Sequence, residues 1–66
     1  MKISINGINQ EEKEGTSLKK LLKSLGLDSA RVAVELNKEI VKKDKYSEIT
    51  LKNGDALEIV HFVGGG

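Results

Sequence analysis

Sixty-six residues make one small domain, because a chain of about 60 residues buries only about 60 % of its unfolded surface and has room for a single modest core. The absence of cysteine excludes disulfides, thiolate metal sites and a catalytic thiol. Eleven Lys+Arg against ten Asp+Glu leave a net charge of +1, without the basic excess that a general nucleic-acid binder needs. The longest apolar run is too short to span a bilayer, and the start, Met1 to Gly7, lacks the apolar stretch of a signal peptide. The expectation is a soluble, cytoplasmic domain with no membrane or nucleic-acid partner. Tyr46 and Phe62 are the only aromatics, so the core is expected to be aliphatic.

Ile3 and Ile5 alternate with Lys2, Ser4 and Asn6, which is strand periodicity with one face buried. Asn6-Gly7 supplies the residues a tight hairpin turn needs, since both tolerate positive φ. Ile8 opens a second strand that runs into the charged stretch Gln10 to Glu14, the exposed end of an edge hairpin. Gly15-Thr16-Ser17 breaks the pattern, and Thr16 or Ser17 can cap a helix. Leu18, Leu21, Leu22 and Leu25 follow at i, i+3, i+4 and i+7, one face of a helix of about nine residues. Gly26 stands where a left-handed residue ends a helix, with Leu27 behind it to close the apolar contact.

Val32, Val34 and Leu36 alternate with polar and small residues in a third strand. Asn37-Lys38 is a turn, and Ile40 and Val41 belong to a short fourth strand. Asp44 to Glu48 reads as a loop or one helical turn that tucks Tyr46 in, with Ile49 and Leu51 over one end of the core. Asn53-Gly54-Asp55 is another tight turn. The last strand, 56–62, is apolar on both faces and is therefore placed centrally, parallel to strand 2–6. The order predicts an α+β roll: one mixed sheet of four to five strands with one helix on a single face. Its expected core is Ile3, Ile5, Leu18, Leu21, Leu22, Leu25, Val32, Val34, Leu36, Leu57 and Ile59. Residues 1–63 form the domain and 64–66 a flexible tail.

Little in the chain points to catalysis. No glycine-rich segment leads into Lys-Ser/Thr and a helix, so there is no phosphate loop. His61 is the only histidine, and a zinc site takes several His or Cys ligands. It reads as a strand residue with a solvated ring rather than as a proton shuttle. The serines lack a nucleophile-elbow setting. Glu35 and Glu58 are placed on the outer side of the sheet, but an acid–base pair needs a cleft that one layer of core does not provide. Lys19, Lys20 and Lys23 read as the solvated face of the helix. No catalytic residue, metal ligand or bound cofactor is expected, and the chain is expected not to be an enzyme in its own right.

The informative segment is Gly64-Gly65-Gly66, which follows the central strand with no polar spacer. One reading is an inert flexible tail or a cloning remnant. The other is a reactive terminus. Glycines thread a narrow channel that side chains would block. An α-carboxyl with a pKa of about 3.3–3.7 is ionised at neutral pH. It can attack the α-phosphate of ATP when an enzyme supplies metal and orientation. If Leu57 and Ile59 face the helix, Val60 and Phe62 point to the bare face of the sheet beside the tail. They are candidate docking residues, since aromatics concentrate interface energy.

Together these residues resemble the ubiquitin-like sulfur carriers of thiamine biosynthesis, the ThiS-like proteins. The resemblance rests on the size, Asn6-Gly7, Thr16-Ser17-Leu18, Val34-Glu35-Leu36-Asn37 with Ile40-Val41, Asn53-Gly54-Asp55, and above all Glu58 to Gly66. It implies a β-grasp fold. It also implies that an E1-like (ThiF-like) adenylyltransferase uses ATP and Mg²⁺ to adenylate Gly66, with Gly64 and Gly65 threading that enzyme's active site. Sulfur, ultimately from cysteine through a desulfurase, then makes a thiocarboxylate, and a thiazole synthase (ThiG-like) takes the sulfur. Only two terminal glycines are required, so Gly64 is a third. Within the same fold, a molybdopterin-type sulfur carrier or a lysine-conjugating protein modifier would share the adenylation step. An interaction module with an inert tail would not.

Overall fold

Asn6 and Gly7 adopt φ values of 51° and 82°, the left-handed pair that a two-residue hairpin turn demands. They join β1 (Lys2–Ile5) to β2 (Ile8–Glu11) with Ile5 opposite Ile8. The computed structural model describes residues 1–62, so the expected tail of Gly64, Gly65 and Gly66 and the domain boundary at 63 lie outside the described residues. After β2 come α1 (Leu18–Ser24), β3 (Val32–Leu36), β4 (Glu39–Val41) and β5 (Ala56–His61). The sheet order is β2-β1-β5-β3-β4. The last strand lies in the middle, parallel to β1 and antiparallel to β3. This is the mixed sheet with one helix that the hydrophobic pattern predicts.

The helix starts where Ser17 Oγ accepts the Lys20 amide at 3.1 Å. The other free amides of its first turn are met from elsewhere in the chain. Leu18 N–H donates to Ile49 O at 2.9 Å and Lys19 N–H to Tyr46 O at 3.0 Å. Helix ends need such partners when buried, and here they tie α1 to the segment 46–51. At the other end Gly26, with φ of 75°, lets Leu27 N–H reach Leu22 O while its own N–H reaches Lys23 O, both at 3.0 Å. That double closure ends the helix after seven residues rather than about nine. It also corrects the expected core. Leu25 is the C-cap at the end of the helix and stays 38 % exposed, and Leu27, just past the Gly26 turn, packs against the core instead.

Ile3, Leu18, Leu21, Leu22, Val32, Val34, Leu57 and Ile59 are buried as expected, and Ile5 and Leu36 are half-buried against them. Leu51 and Tyr46 complete the core. The core is thus aliphatic except for Tyr46, whose hydroxyl donates to Val32 O at 3.2 Å. Burial raises its pKa above the ordinary 10.0. Tyr46 is delivered by a one-turn 3₁₀ helix, Lys43–Lys45. A second 3₁₀ turn, Ser29–Arg31, is capped by Asp28, whose Oδ1 accepts the Ala30 amide at 2.9 Å. Among the described residues no helix is long and apolar enough to cross a membrane.

The β3–β4 turn holds both Asn37 and Lys38 at positive φ, 51° and 71°. Asparagine tolerates this, but a lysine there pays for the clash of its Cβ with backbone, about 1–2 kcal/mol for a residue of its kind. Lys38→Gly is expected to raise stability by up to ~1 kcal/mol, measured as a shift in the urea midpoint at unchanged slope.

Candidate functional site

The candidate site is built around β5, because that strand leads to the glycine tail. Its neighbour β1 pairs with it only through Ser4 opposite Ala56 and Ile5 opposite Leu57. Asn6 N–H still donates to Leu57 O at 2.8 Å, but the Asn6-Gly7 turn takes the Asn6 carbonyl out of the ladder. In a continued parallel ladder that residue would still accept from Ile59. Its side chain takes over: Asn6 Oδ1 accepts the Ile59 amide at 2.8 Å, and Asn6 Nδ2 donates to Ile59 O at 3.1 Å. Asn37 does the same at the start of the strand. Its Oδ1 accepts the Ala56 amide at 2.9 Å and its Nδ2 donates to Asp55 Oδ1 at 3.0 Å. Two turn asparagines thus finish the pairing of the central strand.

β3 covers the other edge of β5 along its whole length, from Leu36 opposite Leu57 to Val32 opposite His61. The ladder runs one residue further: Phe62 N–H donates to Arg31 O at 2.8 Å. Lys43 Nζ lies 5.9 Å from the centroid of the Phe62 ring, within cation–π range, and donates to Ala30 O. Phe62 is therefore held by its backbone and has an ammonium over its ring.

Alternation sends Leu57 and Ile59 into the core and Glu58 and Val60 to the face away from the helix. The candidate docking residues Val60 and Phe62 are 58 % and 54 % exposed. The register places Ala33 opposite Val60, and Glu35 between Glu58 on one side and Ile40 on the other. Ile40, at 81 % exposure, joins Val60 on this face, and Ala33, Glu35 and Glu58 are exposed as well. Here the structure adds what sequence reasoning missed. The two outward glutamates are not merely on one side of the sheet; they face each other directly. Only the register, set by long-range pairing, could have shown it.

No group of His, Cys, Asp and Glu among the described residues is arranged to hold a metal ion. The His61 ring makes no hydrogen bond or ion pair among them. Every buried side-chain nitrogen or oxygen among them has a partner. This face of the sheet is an open, partly apolar surface beside the end of β5.

Residues 3–66 match the model of the ThiS family. The chain is 45 % identical over 65 residues to the sulfur carrier protein ThiS of Bacillus subtilis, covering 97 % of this chain and 98 % of that protein. It is 47 % identical over 66 residues to a thiazole synthase of Paramagnetospirillum magneticum, with all of this chain covered. The chain spans about a fifth of the length of that protein and of a second, similar thiazole synthase. The crystal structure of a thiamine biosynthesis protein, ThiS, from Geobacter metallireducens superposes with a TM-score of 0.85 at 33 % identity, covering 100 % of both chains.

Asn6→Gly keeps the turn's left-handed backbone and removes only the amide. It is expected to cost about 1–3 kcal/mol, the range for leaving partners of a lost hydrogen bond unsatisfied. Amide exchange at Ile59 should quicken along with the fall in urea midpoint. Unaltered exchange at Ile59 would show that the asparagine is not holding the strand.

Proposed function

We propose that this chain, which belongs to the ThiS family and is a sulfur carrier of thiamine biosynthesis, bears its sulfur on the carboxyl group of Gly66. The supporting observation is the match to a curated sulfur carrier over nearly the full length of both chains, combined with a sequence ending in Gly64-Gly65-Gly66. The absence of cysteine leaves the carboxyl as the natural place for a transferable sulfur.

The terminal carboxylate, ionised at neutral pH, attacks the α-phosphate of ATP in the active site of an E1-like adenylyltransferase. Pyrophosphate leaves and an acyl-adenylate forms. Mg²⁺ belongs to the partner and offsets the phosphate charge there. The outer sulfur of a persulfide, supplied ultimately by a cysteine desulfurase, then attacks the activated carbonyl and expels AMP, and a thiol cleaves the resulting S–S bond, leaving as a disulfide and releasing the thiocarboxylate. Sulfur stands in place of one carboxyl oxygen. The glycines matter because side chains on Gly64 or Gly65 would obstruct the channel that leads to the α-phosphate. Two thiazole synthases contain a segment similar to this chain. That supports a thiazole synthase as the acceptor of the sulfur.

The domain's own task is to be recognised and to hold the tail's root. Val60 and Phe62 serve as docking residues: both are exposed, Val60 on β5 and Phe62 one residue past its end. Their apolar area leaves water when a partner binds.

Incubation with an E1-like adenylyltransferase, Mg·ATP and a sulfur source is expected to raise the intact mass by sulfur minus oxygen, mapped to Gly66. Gly66→Ala and deletion of Gly66 should abolish that gain with an unchanged circular dichroism spectrum; sulfur gain in either variant would overturn the assignment. Phe62→Asp should weaken binding to the adenylyltransferase about tenfold or more, because it buries an unpaired charge in an apolar contact. Titration calorimetry checks this, and equal affinity would move docking elsewhere.

A further inference from the structure

The open face of the sheet carries a built depression with an unusual charge arrangement. Ile40, Glu35 and Glu58 lie in one row across β4, β3 and β5, and Ala33 and Val60 form the next pair. Between them is a cavity of about 130 Å³ lined by Ala33, Val34, Glu35, Ile40, Glu58 and Val60. Its floor is low because Ala33 is small, while Ile40 and Val60 stand up on either side. Glu35 and Glu58, opposite each other in the β3–β5 register, both line the cavity and are exposed.

Like charges directly opposite each other on neighbouring strands destabilise a sheet. Nothing among the described residues relieves this pair. The ion pairs found there join the Met1 amino group to Glu11, Arg31 to Asp28 and Lys45 to Glu48, and neither Glu35 nor Glu58 takes part in a side-chain hydrogen bond. The arrangement is unfavourable in the free chain and becomes favourable when a cation arrives from outside. The apolar walls narrow the choice of cation. A long aliphatic stem can lie along Ala33, Ile40 and Val60 with its charged head at the rim. A planar guanidinium offers donors in a fork to two carboxylates at once and sheds water more easily than an ammonium.

We propose that this depression receives an arginine side chain of the adenylating enzyme. The assignment rests on the docking role given to Val60 and Phe62 and extends it: the apolar residues supply contact area, and Glu35 with Glu58 supplies the selecting charge. The free carrier thus holds an electrostatic repulsion that only the correct partner removes.

The test measures the carrier as substrate in ATP–pyrophosphate exchange, comparing wild type with Glu35→Gln, Glu58→Gln and the double variant. The proposal expects KM for the carrier to rise about five- to tenfold in the double variant, the scale of one charge-assisted hydrogen bond, with kcat unchanged. It expects KM to depend less on salt than in wild type. It also expects the urea midpoint to stay or to rise, whereas glutamates with a merely structural role would lower it. Equal KM values in wild type and double variant, with wild type adenylated, overturn this inference and leave the carrier function standing. A wild type that is not adenylated by an enzyme active on another carrier overturns both. Concentration-dependent dimerisation of the free carrier in sedimentation, abolished in the double variant, would give the face to a second copy and also overturn the proposal.

Discussion

A central strand must satisfy its hydrogen bonds on both edges, and in this protein that constraint falls on β5. β3 meets it on one side over five residue pairs, but β1 meets it on the other over only two. The deficit is made up by side chains. Asn6 acts as a surrogate stretch of β1 for Ile59, and Asn37 fastens the entry of the strand at Ala56. Unpaired backbone groups in the middle of a sheet are costly, so the hairpin turns have two tasks each. They reverse the chain, and they finish the ladder of a strand far away in sequence. With that ladder complete, the strand runs straight to Phe62, whose amide is still paired.

The same strand separates stability from recognition by alternation. Leu57 and Ile59 point into the leucine face of α1 and belong to the core. Glu58 and Val60 point the other way and belong to the surface. Because the side-chain period is two, a slip of one residue would exchange the sets and bury Glu58. Register is therefore under strong physical control, and the surface pattern inherits the precision of the core. Residues on the outer face can change with little cost to folding. The outer face of the sheet can be retuned without rebuilding the core.

Much of this architecture is legible in the chain itself. The leucine spacing, Ser17 and Gly26 mark the helix through local physics, and Asn6-Gly7 marks the first hairpin. A strand apolar on both faces had to lie centrally, and β5 does. Leu25 shows the limit of periodicity: it has the right spacing, but it caps the end of a seven-residue helix, and Leu27 beyond the Gly26 turn packs on the core in its stead. The amide bonds of Asn6 link residues 53 positions apart, and asparagines in turns ordinarily signal only the turn. Glu35 facing Glu58 follows from the β3–β5 register, and Lys43 over Phe62 from the placement of a 3₁₀ turn. None of these has a local signature. The tail is the reverse case: the proposal that Gly64 to Gly66 react rests on composition and chemistry alone, and those residues lie outside the described ones.

The strand that occupies the middle of the sheet is also the last of the five to be synthesised. Both hairpins, β1–β2 and β3–β4, are local and can form early, yet they do not pair with each other; each pairs with β5. During translation they wait as two separate edges until residues 56–61 leave the ribosome, and the domain closes only then. A chain cut short before that point has no sheet to join and exposes the apolar faces of both hairpins. Folding thus acts as a check on length: a compact domain is one whose synthesis has already passed through β5.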